Sequence, residues 1–348
     1  MGRLPAPHHI TLARLARVLL IALAAFGTAP SVPAQPPPRE WKLSTAVGPA
    51  FALGKAGARW AALIGEKSGG ALVVKPHPGA TLAQRDPARE FAALRDGGAE
   101  LAVGSTLQWA GAVPELGVVG LPWLASGAPQ LAALAAEPFA GRLAAAMERA
   151  GVVGLAFAPM GHRALATVGK AIREPADVAG LAVRVPGLPA VADLYAALGA
   201  SPQVLEFAAA QAAFKSGALG AQDGSAGSFV AARLEAVGFR HVADWQAIGE
   251  VGVFAVNAKV WSGWTDAERA LVRAAAIEAA GSLATLARDE SAQALADLRQ
   301  RGMAVTRLTP EGRAAFAAAS RAAYDRAATA AGEELVRSAE AVVAAAVP

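Results

Sequence analysis

Cysteine is absent from the 348-residue chain, and asparagine occurs once, at Asn257. The chain can therefore hold no disulfide framework, no thiolate-bound zinc and no cysteine nucleophile. Histidine is scarce too. Beyond residue 34 only His77, His162 and His241 remain, and no two stand four residues apart, the spacing that puts a metal-binding pair on one helix face. Charged residues make up 17% of the chain and occur in no long block of one sign. Much of the formal charge of +4 comes from Arg3, Arg14 and Arg17; without residues 1–34 the chain has 29 basic and 28 acidic residues. Such scattered, balanced charge argues against a nucleic-acid partner. An apolar fraction of 54% excludes a disordered polymer, and the length suffices for two domains with sizeable cores.

The usual catalytic signatures are missing as well. Gly48 to Ala56 imitates a phosphate loop, but five residues separate its glycines and Ala56 stands where a hydroxyl must hold magnesium. Ser225 lies in DGSAG, with Asp223 at the wrong place for a nucleophile elbow. No G-x-G-x-x-G follows a strand. No enzyme, no cofactor and no metal is expected from these residues.

The N-terminus is ordered as an address. A basic segment without acids is followed by the apolar run Val18–Ala29, which is too short to span a membrane, and then by Val32-Pro33-Ala34. This pattern predicts a signal peptide over 1–34, cleavage before Gln35 and a periplasmic, exported protein; the alternative is an N-terminal membrane anchor. Beyond it, strands and helices alternate. Strands are expected at Trp41–Val47, Ala71–Lys75, Leu101–Val103, Val152–Ala158, Leu181–Val185, His241–Trp245 and Gly252–Asn257. Helices are expected at Phe51–Ser68, from Asp86-Pro87 to Gly97, and at Gln130–Ala150, Pro189–Leu198 and Ala208–Ser216. Thr265-Asp266-Ala267-Glu268 is a capping box opening a helix that runs to about Arg301. Thr309-Pro310-Glu311 opens a last helical stretch toward Val347. The rhythm predicts an α/β fold with parallel strands.

One charged residue stands out. Arg184 lies in an apolar strand between Val183 and Val185. A buried guanidinium needs an anionic partner, either a ligand carboxylate held by its planar fork or a structural Asp or Glu. Around it run Gly161-His162-Arg163, then Pro175-Ala176-Asp177-Val178-Ala179-Gly180-Leu181-Ala182-Val183-Arg184-Val185-Pro186, then Leu198-Gly199-Ala200-Ser201-Pro202 and Gln222-Asp223-Gly224. With Glu66-Lys67-Ser68-Gly69-Gly70, Leu121-Pro122-Trp123 and Val256-Asn257 with Trp261, this order and spacing closely resembles the periplasmic solute-binding proteins of TRAP transporters, the DctP-like family. The resemblance covers about Trp41–Val347.

The resemblance implies a two-lobed α/β periplasmic binding protein fold with a cleft between the lobes and a long helix spanning both. It places lobe I at 35–160 plus 250–288 and lobe II at 161–249 plus 289–348. It implies that Arg184 clamps a substrate carboxylate and that Arg163 is a second contact. Asp223 and Gly224 fall in the family's D-G-x-E-N run, where glycine replaces a polar ligand contact, and Gly104 replaces an acid found in some sialic-acid binders. A less polar site is therefore expected. Gln84 lies in a loop that can approach the ligand, and Trp109, Trp123, Phe207 and Trp245 are candidates to line the cleft. The implied function is capture of an organic acid and its delivery to the membrane subunits of a TRAP permease by a monomeric protein that closes by hinge bending. The alternative is a ligand-loaded sensor docking on a receptor kinase.

Overall fold

Eleven strands form among the described residues: β1 (Arg39–Thr45), β2 (Leu72–Pro78), β3 (Leu101–Ser105), β4 (Val152–His162), β5 (Ala164–Thr167), β6 (Ala182–Val185), β7 (Ser201–Val204), β8 (Ala221–Gly224), β9 (His241–Ala243), β10 (Gly249–Asn257) and β11 (Ala304–Thr306). The computed structural model describes residues 1–2, 39–205 and 207–346, with no side chain for Phe207 or Ala208. The expected signal peptide and the site before Gln35 lie outside the described residues. The strands build two sheets, one in each lobe, ordered β2-β1-β3-β10-β4 and β11-β9-β5-β8-β6-β7.

The expectation of parallel strands throughout is corrected. β1 runs parallel to β2 and β3, but β10 is antiparallel to both β3 and β4, and β5 is antiparallel to β8 and β9. The reason is topological. β4 carries the chain out of the first sheet toward the second, and β10 brings it back beside β4 in the opposite direction. The short β5, β7, β8 and β11 have no expected counterpart in the sequence pattern.

Helix Ala52–Lys67 covers the first sheet with Leu53, Trp60 and Ile64, and the Trp60 indole donates to the Val272 carbonyl at 3.3 Å. The capping box forms as expected: the Thr265 hydroxyl accepts from the Glu268 N–H, and the Glu268 carboxylate accepts from the Thr265 N–H at 2.8 Å. The helix it opens, Asp266–Gln300, serves both lobes. Val272, Ala276, Ala279 and Leu283 join the first lobe's core, whereas Ala294, Leu295 and Leu298 join the second's. The stretch Gln130–Ala150 is broken into Ala128–Leu134 and Phe139–Arg149, because Pro138 has no N–H to continue the ladder.

The segment after Thr309 forms three helices, Pro310–Ala319, Arg321–Ala331 and Glu333–Ala345. Gly332, at φ 94°, separates the last two. The assignment of this whole segment to the second lobe is corrected at its end. Val336, Ala339 and Val343 form a stripe at helical spacing that packs with Leu116, Val118 and Leu134 of the first lobe.

A buried carboxylate sits in that lobe. Glu90 is fully buried; its Oε1 accepts from the Ser44 hydroxyl at 2.7 Å, and its Oε2 has no partner among the described residues. Burial pushes its pKa up to about 8, against a small opposing effect of the Ser44 bond. The folded protein therefore binds one more proton than the unfolded chain between about pH 4.5 and 8. Stability is expected to fall as pH rises through that window, by at most ~1.4 kcal/mol per pH unit from this group. Urea titrations at several pH values should show this slope, and Glu90→Gln should flatten it; an unaltered slope in the variant would remove Glu90 as its cause.

Candidate functional site

The chain crosses between the two sheets at the end of β4 and the start of β10, and a cavity of about 560 Å³ opens beside these crossings. The first lobe contributes Phe51, Leu53 and Gln108 to its wall, and the second contributes Arg184 and the run Gly224–Ser228. Met160, His162, Arg163 and Glu250 come from the crossing strands, and Ala287, Glu290 and Ser291 from the long helix.

Arg184 points from β6, pairs in register with Gln222 of β8, and is 9% exposed. Its Nε donates to the Leu205 carbonyl at 2.9 Å, which fixes the plane of the guanidinium at the cavity wall. Arg163 stands at the junction of β4 and β5. Its Nε donates to Asp223 Oδ1 at 2.6 Å, its Nη2 is paired with the same oxygen, and its Nη1 lies 4.0 Å from Glu250 Oε2. Burial opposes the Arg163 charge, but Asp223 and Glu250 outweigh it and raise its pKa above the ordinary guanidinium value. The Tyr195 hydroxyl donates to Asp223 Oδ2 at 3.1 Å, and burial together with that carboxylate pushes its pKa well up. His162 Nε2 donates to the Ala125 carbonyl at 3.0 Å, and burial lowers its pKa.

Of the residues expected at the site, the structure brings Arg184, Arg163 and Gly224 to one cavity. Asp223 lies one layer behind, where it holds Arg163. Four others lie elsewhere. Trp109 is wholly buried in the first lobe's core, edge-on to Phe91 at 5.6 Å. Trp245 is buried in the second lobe, stacked on Tyr195 at 5.6 Å. Both indoles were candidates for the cleft wall and are corrected to core, where their large apolar area is fully desolvated. Trp123 belongs with them: its Nε1 donates to the Ser320 hydroxyl at 2.8 Å and its ring stacks on Phe316. Gln84 is exposed and accepts from Arg89 at the surface. Phe207 opens the helix Phe207–Lys215, and its side chain lies outside the described residues.

The two glycines have steric rather than polar explanations. A Cβ at Gly224 would stand 2.6 Å from Ser228 Oγ and 3.0 Å from Phe229 Cε1, so glycine lets helix Ala226–Ala232 lie close on β8. A Cβ at Gly104 would stand 2.3 Å from the Trp109 ring, so the indole fills that space. The cavity is also more polar than expected, because Gln108, Ser225, Ser228, Glu250, Glu290 and Ser291 all line it. The reading of the sequence missed these residues. Glu250 carried a weaker signal than Arg184: a charge at the head of an apolar strand rather than within one. Glu290 carried none, since its position on a helix face shows only in three dimensions. Its Oε2 accepts from the Ala52 N–H at 2.6 Å and caps a helix that has no side-chain cap of its own. Among the described residues no group of three or more His, Asp or Glu is placed to hold a metal ion.

Comparison with known proteins places this geometry in a context. The family described as bacterial extracellular solute-binding protein, family 7, matches residues 43–330. A TRAP periplasmic solute binding protein from Ralstonia eutropha, solved with bound (S)-2-acetolactate, is similar at 37% identity and a TM-score of 0.83, covering 88% of this chain and 98% of that one. The C4-dicarboxylate-binding periplasmic protein DctP of Rhodobacter capsulatus is 26% identical over 328 residues, 93% of this chain and 97% of that protein. An uncharacterized protein of Sinorhizobium fredii is 28% identical over 211 residues; the match covers 60% of this chain and spans 39% of that protein's length.

Proposed function

We propose, since this chain belongs to family 7 of the bacterial extracellular solute-binding proteins, that it captures a small hydroxy or keto monocarboxylate between its lobes and hands it to a TRAP-type membrane permease. The observation that carries the ligand class is the shared cavity of Arg184 and Arg163. Arg184 lines that cavity with its guanidinium plane fixed by the Nε–carbonyl bond, and a planar guanidinium is the group whose geometry matches a carboxylate in a fork. Arg163 is differently placed. Asp223 and Glu250 already balance its charge, so it serves as a neutralised donor rather than a second anion clamp. That asymmetry favours one carboxylate over two, in contrast to a C4-dicarboxylate binder. The Ralstonia relative with bound (S)-2-acetolactate, a short hydroxy keto acid, supports the same class.

No bond in the ligand is made or broken. The lobes close over the ligand by bending where β4, β10 and the long helix cross between them, near residues 160, 250 and 288. Residues 1–34 direct export and are removed before Gln35, and the exported protein works as a periplasmic monomer whose partner is the permease.

A thermal-shift screen tests the ligand class. Binding to the native state alone raises stability by about 2.7 kcal/mol at a hundredfold excess over Kd, roughly 4 °C for a chain of this size. Short hydroxy and keto acids are expected to give such a shift, with sugar acids and succinate giving little. A large shift with a sugar acid and none with short monocarboxylates would overturn the assignment.

A further inference from the structure

Glu250 is a carboxylate in a cavity proposed to bind carboxylates, and it faces that cavity rather than being consumed within the protein. Its Oε1 accepts from the Ser105 hydroxyl at 2.6 Å. Its Oε2 lies 4.0 Å from Arg163 Nη1, close enough to balance charge but beyond hydrogen-bond distance, and it takes no hydrogen bond among the described residues. The neighbouring Gln108 also lines the cavity. Its backbone N–H is held by Ser105 Oγ at 3.3 Å, and its amide oxygen is buried without a partner among the described residues. Glu250 Oε2 is therefore an unused acceptor at the cavity wall.

We infer that Glu250 is the specificity-determining residue of the cavity: its Oε2 accepts a hydrogen bond from a hydroxyl on the ligand chain, which makes the site one for hydroxy acids. This rests on the ligand class proposed above and narrows it. A carboxylate only accepts, so a keto oxygen set against Oε2 would meet lone pair with lone pair and lose its water without replacement. An unsubstituted acid would leave Oε2 desolvated and unpaired. A second ligand carboxylate would be repelled. An ammonium would satisfy Oε2 but costs far more than a hydroxyl to take out of water. The hydroxyl is the donor that brings no charge.

Calorimetry with matched four-carbon acids decides this. The whole protein is titrated with both enantiomers of 2-hydroxybutyrate and of 3-hydroxybutyrate, and with 2-oxobutyrate, 2-aminobutyrate and butyrate. At least one hydroxybutyrate is expected to bind about tenfold or more tightly than the oxo and unsubstituted acids. In Glu250→Gln, whose amide donates as well as accepts, the preference is expected to shrink to about threefold or less. Glu250→Asp, which withdraws the carboxylate, serves as a second variant and should erode it too. Equal binding of hydroxy, oxo and unsubstituted acids by the unaltered protein would overturn the inference and leave the proposed monocarboxylate function standing. A preference undiminished in both folded variants, or tightest binding of 2-aminobutyrate, would overturn the role of Glu250. Failure of every acid in the series to bind would overturn the proposed ligand class itself, and this inference with it.

Discussion

Asp223→Ala is expected to destabilise the protein by about 3–5 kcal/mol, the range for removing one partner of a buried ion pair. Asp223 is 1% exposed and the Arg163 side chain 12% exposed, so the pair has little water to fall back on. The carboxylate takes Nε and Nη2 of Arg163 on one oxygen and the Tyr195 hydroxyl on the other. Alanine leaves a guanidinium with only Glu250 at 4.0 Å to balance it and a buried phenol without an acceptor. Asp223→Asn keeps a group that can accept from Tyr195 but loses the charge, and is expected to fall between. Urea midpoints at neutral pH measure both. A cost below about 1 kcal/mol for alanine would mean that the cavity admits enough water to solvate Arg163. The same substitution should weaken ligand binding, because Arg163 loses the carboxylate that orients it.

The second large effect concerns affinity. Arg184→Lys is expected to weaken binding of a short carboxylate by roughly 2–4 kcal/mol, that is about 30- to 1000-fold in Kd. Lysine keeps the charge but loses the fork, and it also lacks the Nε donor that holds the side chain to the Leu205 carbonyl at 2.9 Å. The cost falls on the ligand, whose second oxygen enters a buried site without a donor. Calorimetry reads the affinity and a melting curve reports whether the fold is intact. Unchanged affinity in a folded Arg184→Lys protein would make Arg184 a structural residue and remove the basis of the proposed function.

That Arg184 is a buried charge at a cavity wall was legible in the sequence for a physical reason: a charge between two valines has few explanations. The capping box at Thr265 was legible because both of its halves are local. The tryptophans were not. Trp109 and Trp245 have the composition of a pocket wall, and only the packing of Phe91 over one and Tyr195 over the other shows that they are core. β7 and β8, Ser201–Val204 and Ala221–Gly224, show no alternation that marks a half-buried strand. β8 is buried along its whole length although it carries Gln222 and Asp223, because a partner from a distant segment, Arg163, satisfies the acid. The polarity of the cavity was misjudged at Gly224 and Gly104, where the lost side chains reflect close contacts with Ser228 and Trp109. The compensating polar groups, Gln108 and Glu250, share no motif; they meet at Ser105, which is 3 residues from Gln108 and 145 from Glu250 in sequence.

The place of β10 in the first sheet governs the order in which the molecule can be made. β3 and β4 do not touch; β10, ending at Asn257, lies between them and is hydrogen-bonded to both. While the ribosome is still adding the second lobe, the first lobe has a gap in the middle of its sheet and two unpaired strand edges facing it. Helix Ala52–Lys67 waits longer still, since the carboxylate that caps it arrives with Glu290. A chain wired in this way stays unfinished until about five-sixths of it exists, and such long-range closure is slow. Delay of that kind keeps a polypeptide threadable, which suits the export proposed for this chain.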